Sequence, residues 1–575
     1  MSKDEVATAL EEIAILLALQ GENAFKIRAY ENAARTISSL DRNLAEMVAD
    51  GSLGEVRGIG EALLEKISTL VTTGSLPYLE ELKAAVPAGL IQMLRLPGIG
   101  PKKVKLIHDE LGITTIVDLK NACIADKVAH LKGFGAKTQT KILEGIAFLD
   151  TVGQRVRIDL AWPLGQRLLA QIKAFPGVIR AELCGSLRRR RETAKDLDIL
   201  CSADDAGPIM AAFVHLPEVL QVVGHGETKS SIVAALMLDG TKVVLNADLR
   251  VVKDPGFPFA LAYFTGSKEH NIRLRQRAIE RGLGLNEYAL SGKQSVACKT
   301  EADIYKALDL DYVEPEMRED TGEVEAAEKH QLPKLIEAAD IRGVFHNHST
   351  WSDGAASIEE MANAAKALGF EYFGIGDHSQ SLAFAGGLTP ERVKLQWAEI
   401  DALNQKLKGI RIFKGTECDI LEDGSLDFDD DLLAGFDYVV ASVHTFFHLP
   451  EAKQTERVCK ALTNPHVTML GHATGRLLLR RDGYRIDLEQ VIRTAATHKK
   501  MIEINAQPSR LDLDWHWVKR AKAEGVTIVI NPDAHSPGEL ALFTYGVDVA
   551  RRGWLTKADV FNTRTLNAVI KSLSR

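Results

Sequence analysis

Two aspartates stand one position apart, Asp196 and Asp198 in KDLDIL, just after the run Gly185-Ser186-Leu187-Arg188-Arg189-Arg190-Arg191. In an extended segment residues i and i+2 project from the same face, so both carboxylates are expected on one side of a strand. A third, Asp248, ends the apolar run VVLNA and is expected on a neighbouring strand. Three carboxylates so placed repel one another unless cations sit among them. An all-oxygen ligand set suits Mg²⁺, with Mn²⁺ as the alternative. Two such ions about 4 Å apart can activate an attacking hydroxyl and hold a leaving pyrophosphate. The Gly185-Ser186 turn offers an N–H and a hydroxyl to a phosphate, and the arginines carry forked donors suited to triphosphate oxygens. The reaction that uses all of these is nucleotidyl transfer.

A second set of residues stands near the end of the chain. His346, His348 and Asp353 lie in HNHSTWSDG, and His378 ends GIGDH. Glu417 ends FKGTE, His444 ends VVASVH, His472 lies in MLGHA, and Asp533 and His535 close VINPDAH. These positions fall at or just past the C-terminal ends of apolar strand candidates, which converge on one mouth in an α/β barrel. Nine N and O donors exceed one coordination shell, so two or three metals are expected. Mixed imidazole and carboxylate ligands suit Zn²⁺ or Mn²⁺ better than Ca²⁺. The chemistry expected is in-line displacement at phosphorus, with Glu417 as a natural bridge between ions.

The elements that must position these groups differ along the chain. At 575 residues, about three or four domains are expected. VATALEEIAILLAL and AYENAARTISSL have helical apolar spacing, and no strand is expected before about residue 156. A short unit recurs within this helical region: VRGIGEALLEKI, LPGIGPKKVKLI and LKGFGAKTQTKIL. Each places an apolar residue between two glycines (Gly58 and Gly60, Gly98 and Gly100, Gly133 and Gly135) ahead of a helix bearing lysine. A glycine turn opening onto a helix N-terminus presents free N–H groups and the positive end of the helix dipole to an anion. This is the helix-hairpin-helix manner of holding a DNA backbone, which positions without reading sequence.

From 156 to 250 strands are expected in RAELCGS, KDLDILCS and TKVVLNADLRVV, followed by helical segments to about 312. EPEMREDTGEVEAAEKHQLPK is acidic, lacks aromatics and contains prolines, and is expected to be an extended linker. After 336, RGVFHNH, YFGIGDH, IRIFKGTE, DYVVASVH, VTMLGHA, MIEINA and TIVINPDAH alternate with helical stretches, as in a closed or nearly closed α/β barrel.

These motifs carry a resemblance. GSLRRRRETAKDLDIL, GETKSS, DLRVV and YFTGSKEHN resemble the palm and thumb of a family X DNA polymerase. The resemblance implies that Asp196 and Asp198 bind both metals and Asp248 the one at the primer 3′-OH. It implies triphosphate contacts at Gly185, Ser186 and Arg189, and a sugar pocket lined by Tyr263, Phe264 and Gly266. Asn271 and Arg275 match positions near the minor groove of the nascent pair. Lys268 replaces an acid found in some animal members. Lys66 falls where family members use a Schiff-base lysine for 5′-deoxyribose phosphate removal, although Ala62 stands where a supporting lysine is common. Lys26 matches a 5′-phosphate contact. The C-terminal half resembles the polymerase-and-histidinol-phosphatase (PHP) domain, a seven-stranded distorted barrel with a trinuclear centre. By that resemblance His346, His348, Glu417 and Asp533 hold one metal, Glu417, His444 and His472 a second, and Asp353, His378 and His535 the third. Arg510 is a candidate phosphate clamp. The same domain order occurs in bacterial family X polymerases, where the second domain supplies 3′–5′ exonuclease and related 3′-end or abasic-site processing.

The fold expected is therefore multidomain. It comprises helical modules at 1–85 and 86–150, an α+β palm at 151–252 and thumb at 253–315, the linker at 316–336, and a distorted (β/α)7 barrel at 337–575. The partners expected are gapped or primer-template DNA and deoxynucleoside triphosphates, acting on a monomer. Six scattered cysteines without a CxxC pair fit a reducing, cytoplasmic setting. The early apolar run IAILLAL follows an acidic start and reads as a core helix, and no membrane span is expected. A net charge of −8 mildly disfavours a nucleic-acid binder, but cation-holding carboxylates lower the total without repelling phosphate. Three other readings remain open: a template-independent nucleotidyltransferase on RNA or a small molecule, a DNA-end-binding scaffold with silent centres, and a fused phosphoesterase of small metabolites.

Overall fold

The computed structural model describes residues 3–38, 40, 44–56, 58–94, 96, 99–152, 155–238, 240–292 and 295–574. The chain divides into two compact units, Met1–Gln154 and Arg155–Arg575.

The first unit is helical throughout its described residues. Its core is built by Leu10, Ile13 and Leu17 of the helix Lys3–Gln20, together with Ala33, Ile37, Ile67, Leu70, Val104 and Ile107. Each glycine unit ends in a helix start: Gly60 caps Glu61–Thr73, Gly100 caps Pro101–Leu111, and Gly135 precedes Ala136–Val152. The apolar residue between the glycines is the anchor, since Ile59 and Ile99 are buried in the core. Gly58 and Gly133 take the left-handed φ values of 97° and 82° that favour glycine. Gly98 lies outside the described residues.

The second unit opens with a five-stranded sheet. Its strand order is Val178–Leu183, Asp196–Ala203, Thr241–Val252, Lys229–Leu238, Val219–His225. The Asp196 and Thr241 strands run parallel and the other neighbours antiparallel. The helix Ile158–Lys173 covers one face with Leu164, Leu168 and Ile172. The strands at 219–225 and 229–238 are additions to the three expected. The first of them is almost wholly exposed, so it lacks the in–out alternation that marks a strand in sequence. Helices Phe257–Thr265, Lys268–Glu280 and Glu301–Ala307 with a small three-stranded sheet complete the thumb-like portion.

The segment expected to be an extended linker is folded instead. It contains a 3₁₀ turn at Pro315–Met317 and a helix at Glu323–Glu328, and Arg318 and Glu323 are fully buried. Composition misleads here because the charges are paired rather than solvated. Arg318 Nη1 donates to Glu301 Oε1 at 2.7 Å, and Glu323 Oε1 lies 2.6 Å from His270 Nδ1.

The remaining residues form the barrel. Gly343–Val344, Tyr372–Gly374 and Arg411–Phe413 pair in parallel, as do Gly415–Asp419, Tyr438–Ser442, Met469–Leu470, Met501–Asn505 and Ile528–Asn531. The single strand expected in IRIFKGTE breaks at Lys414 into two pieces belonging to different sheets. A parallel bridge from Asn347 to Ala534 joins first strand to last. Asn562 staples the same seam by donating to Gly343 O (3.0 Å) and Ile530 O (2.9 Å). Outer helices follow the apolar period. Ile358–Ala367 buries Ile358, Met361, Ala362 and Ala365, and starts with a Ser357–Glu360 capping box of the kind that contributes about 1 kcal/mol. Phe345, Tyr372, Phe413, Tyr438 and Met469 fill the interior. Truncating one of the aromatics to alanine costs about 3–5 kcal/mol. That packing holds the opposite ends of the strands, where the ligands lie, in fixed relation.

Candidate functional site

The parallel register pairs Asp198 with Asp248 and Asp196 with Asn246. All three aspartates therefore project from one face of the sheet. Burial, then the negative charges of Asp196 and Asp248, pushes the Asp198 carboxyl up to about 6. Lys229 Nζ approaches Asp248 Oδ2 at 2.6 Å and supplies some of the missing positive charge. Gly185 sits directly against the cluster. Its φ is +60°, and a Cβ there would lie 2.3 Å from Asp198 Oδ2. It begins the four-residue helix Gly185–Arg188, not an open turn as expected.

A cleft of about 450 Å³ opens beside these carboxylates. Gly185, Ser186, Arg189, Tyr263, Phe264, Gly266, Asn271 and Arg275 all line it, together with Asp196 and Asp198. The eight positions expected to touch nucleotide thus converge, although they come from segments up to ninety residues apart. Arg155, Arg191, Lys195 and Lys268 add positive charge to the wall. The arginine run does not act as a block. Arg188 forks onto Glu301 (3.1 and 2.5 Å), and Arg190 stacks on Trp162 at 3.6 Å. Arg189 lines the cleft but is tied to Thr265 O and Glu319, so Arg191 is the exposed member. These separate partners, invisible in a run of like charges, decide which arginine is left exposed at the cleft.

In the barrel all nine expected ligands come together. Four groups have donor atoms within 4.8 Å of one another: His348/Asp353/His378/His535, His346/Glu417/His472, His346/His348/Asp533 and His378/Glu417/His444. Glu417 is shared by two groups. His472 Nε2 lies 2.8 Å and His444 Nε2 3.1 Å from its Oε1, and His378 Nδ1 lies 2.9 Å from its Oε2. The groups differ from the expected partition. His348 falls with Asp353, His378 and His535 as well as with His346 and Asp533, and Glu417 stands outside the His346/His348/Asp533 group. His444 groups with His378 and Glu417, while His472 groups with His346 and Glu417. His346 (φ 51°) and Asp533 (φ 51°) adopt left-handed backbone, a strain that recurs at functional positions.

The donor set fits divalent metal. His346 Nε2 and His348 Nδ1 are buried without a hydrogen-bond partner, a costly state unless something else accepts their lone pairs. Burial would raise the Glu417 carboxyl, yet His444, His346 and His378 hold it well below the usual range. Burial likewise opposes charge on His378, but Glu417 and Asp353 outweigh it and raise the imidazole to about 10. His348 goes the other way, to about 3, through burial and the neighbouring His535 and His378. A cluster so divided between fixed anions and crowded imidazoles is a cation site electrostatically.

Three carboxylates behind the ligands escaped the sequence reading. Glu503, fully buried, accepts from His346 Nδ1 (2.6 Å), Asn531 Nδ2 (2.9 Å) and His472 N (2.8 Å). Asp419 bonds His444 Nδ1, and Asp377 accepts from Ser349 N (2.8 Å) and Gln396 Nε2 (2.6 Å). Glu503 and Asp419, by accepting from Nδ1 of His346 and His444, fix the tautomer and leave Nε2 free to take a metal. A lone acid inside the apolar strand MIEIN was the available signal. Arg510 Nε lies 3.8 Å from Asp533 Oδ2, at the edge of the cluster.

In the helical unit, Lys66 and Lys26 share one aromatic ring: their Nζ atoms lie 5.1 and 6.0 Å from the Tyr78 centroid. Lys26 is also paired with Glu22 at 2.8 Å, and that hydrogen bond raises its pKa. A Cβ at Gly58, Gly60, Gly100, Gly133 or Gly135 would meet nothing within 4 Å, so these glycine edges face open space. Among the described residues no helix is long and apolar enough to cross a membrane.

Four segments of the chain match known protein families. Residues 1–76 match a helix-hairpin-helix domain and 90–147 a SAM-like helix-hairpin-helix tandem. Residues 260–319 match the DNA polymerase beta thumb, and 345–507 the PHP domain. A probable phosphatase of Thermoanaerobacter sp. (strain X514) is 30% identical over 38% of this chain and 89% of its own length. DNA polymerase lambda of Rattus norvegicus is 23% identical over 55% of this chain and 56% of its own. The protein named DNA polymerase/3′-5′ exonuclease PolX, from Bacillus subtilis (strain 168), is 40% identical across the full length of both chains. With an aspartate triad in the first half of the second unit, a histidine cluster in the last, and both held in one chain alignable from end to end with that relative, this protein belongs to the family X DNA polymerases that carry a C-terminal PHP domain.

Proposed function

We propose that the protein fills short gaps in DNA by templated addition of deoxynucleotides and trims 3′ ends with its barrel. The observation that carries this reading is the register that sets Asp196, Asp198 and Asp248 on one face beside a cationic cleft. The 3′–5′ exonuclease and phosphoesterase activity is supported by the nine-ligand cluster and the similarity to PolX. Both centres depend on divalent metal. We assign Mg²⁺, replaceable by Mn²⁺, to the aspartates, and two or three Zn²⁺ or Mn²⁺ to the barrel. When bound, such ions lower the cost of negative charge on the attacking and leaving oxygens of a phosphoryl transfer.

The chain's own groups then divide the work. Asp196, Asp198 and Asp248 would hold the cation, which would offset the burial and like charges that push the Asp198 carboxyl up to about 6. Ser186, Arg189 and Arg191 receive the triphosphate, while Tyr263, Phe264 and Gly266 shape the sugar pocket and Asn271 and Arg275 meet the nascent pair. In the barrel, Glu503 and Asp419 keep Nδ1 of His346 and His444 protonated and so aim Nε2 at the metal. Arg510 offsets charge on the scissile phosphate. The glycine edges at Gly58, Gly60, Gly100, Gly133 and Gly135, with Gly98, grip the backbone on either side of a gap. Lys26 receives a 5′-phosphate, and Lys66 is the candidate lyase nucleophile. The functional division is 1–85 and 86–150 for DNA ends, 151–315 for polymerisation and 337–575 for hydrolysis, in a cytoplasmic monomer. Gap extension on 5′-labelled DNA, compared with single-stranded RNA as acceptor, tests the reading. Extension of gapped DNA alone is the expected result. Extension of RNA without a template would replace it with a terminal nucleotidyltransferase.

A further inference from the structure

Arg189 lines the nucleotide cleft, yet its guanidinium is held from behind. Nη1 donates to Thr265 O at 2.5 Å and Nε to Glu319 Oε1 at 3.1 Å. Glu319 lies in the folded segment that composition had suggested was a linker. The partner of Glu319 comes from the barrel. Arg552, at the end of the helix Phe543–Arg552, donates through Nη1 to Glu319 Oε1 (3.1 Å) and to the main-chain carbonyl of Arg189 (2.7 Å). The Arg552 side chain is 1% exposed and that of Glu319 12%, so water screens the arrangement little. Burial would raise the Glu319 carboxyl, but Arg552 and Arg189 hold it ionised.

Further bonds fasten the same segment on both sides. Towards the cleft, Ser267 N donates to Arg318 O at 3.0 Å, which fixes the turn that follows Gly266. Towards the barrel, Arg551 Nε donates to Glu316 Oε1 (2.8 Å) and Lys519 Nζ to Thr321 O (2.8 Å). None of these barrel cations belongs to the metal cluster.

We propose that Arg552 is a positioning residue for nucleotide incorporation. Acting through Glu319, it sets the guanidinium of Arg189 for the triphosphate, so the barrel supports polymerisation independently of its own hydrolytic chemistry. The inference rests on the reading of Arg189 as a triphosphate contact. The electrostatics follow from a carboxylate shared between two arginines. Remove Arg552, and Glu319 keeps Arg189 as its close counter-charge and competes with the triphosphate for it. Neutralise Glu319, and Arg189 and Arg552 face each other as like charges, which displaces Arg189. A buried charge deprived of one partner is the expensive case, and forked contacts to phosphate tolerate little misalignment.

The test is steady-state single-nucleotide gap filling by the full chain, with 3′-end hydrolysis of a labelled single strand measured on the same preparations. Arg552→Ala is expected to raise the deoxynucleotide KM about 10-fold with kcat within about threefold, and to leave hydrolysis unchanged. Arg552→Lys should restore most of the KM. Glu319→Gln, nearly isosteric, should also raise KM, and combining it with Arg552→Ala should add less than the two effects together. Glu319→Gln decides the matter if Arg552→Ala does not fold. A KM within twofold of wild type in the folded variants overturns the inference, as does a parallel loss of both activities with melting temperature. Arg189→Ala separates the two levels. If it leaves KM unchanged, the triphosphate assignment fails and the inference with it; if it raises KM while the Arg552 and Glu319 variants do not, the inference alone fails.

Discussion

Adding one methyl group at Gly185 should disable polymerisation without touching the barrel. The residue has φ +60°, and its Cβ would stand 2.3 Å from Asp198 Oδ2. Ordinary van der Waals contact begins about 1 Å farther out. In Gly185→Ala either the Asp198 carboxylate or the backbone must therefore shift by about an ångström. The Asp198 backbone cannot absorb this, because its strand is paired in register with that of Asp248 and its own carbonyl accepts from Cys184 N at 2.7 Å, so the shift falls on the carboxylate itself. A misplacement of about 1 Å in a reacting constellation costs about 100-fold in rate, equivalent to about 2.7 kcal/mol of barrier. Left-handed backbone in a non-glycine residue adds about 1 kcal/mol of destabilisation. Gly177→Ala is the control. It has φ +87° with nothing within 4 Å, so it incurs the conformational cost without the collision. Single-turnover incorporation into gapped DNA should fall about 100-fold in Gly185→Ala and less than threefold in Gly177→Ala, with 3′-end hydrolysis equal in both. If Gly185→Ala folds and incorporates nucleotide within threefold of wild type, the aspartates are not poised as described, and the metal-centre reasoning fails.

Three other outcomes are expected. Asp198→Ala should abolish gap filling and spare 3′-end hydrolysis, and His346→Ala should do the reverse; loss of both activities from a folded Asp198→Ala protein would refute two independent centres. Glu503→Ala removes the acceptor for His346 Nδ1 and His472 N and should weaken barrel metal affinity about 10–100-fold, read by titration of the metal-free protein; unchanged affinity would mean the imidazoles are oriented by packing alone. The Asp198 pKa, raised from the ordinary carboxylate value to about 6, makes the metal-free fold bind a proton that the unfolded chain does not. That contribution is present below about pH 4 and is lost as pH rises through about 6. Mg²⁺ restores what is lost, so its stabilisation of the second unit should be larger at about pH 7.5 than at about pH 5; an equal thermal shift at both would contradict the assignment.

Much of this was legible in the residues alone. Asp196 and Asp198 are separated by two, and strand geometry admits one outcome for that spacing. The nine barrel ligands could be named because each follows an apolar strand, and parallel strands with crossovers must deliver their C-terminal ends to one rim. The repeated glycine–apolar–glycine unit likewise specified helix starts before any packing was known. These are local rules, in which the backbone's own period determines direction.

What required tertiary structure was partnership. Four adjacent arginines look equivalent in sequence, but Glu301, Trp162 with Asp548, and Glu319 occupy three of them and leave Arg191 exposed to the cleft. The acidic segment after residue 314 looked like a solvated tether because composition records charge and not its neutralisation. Arg318 and Glu323 are buried since Glu301 and His270 come from elsewhere to meet them. Nothing in the sequence singles out Arg552, and the lone acid of MIEIN does not reveal what Glu503 holds, for the same reason: each acts on a residue more than one hundred positions away. Secondary-structure period is written along the chain, whereas the pairing of buried charge depends on which distant segments the folded core brings together.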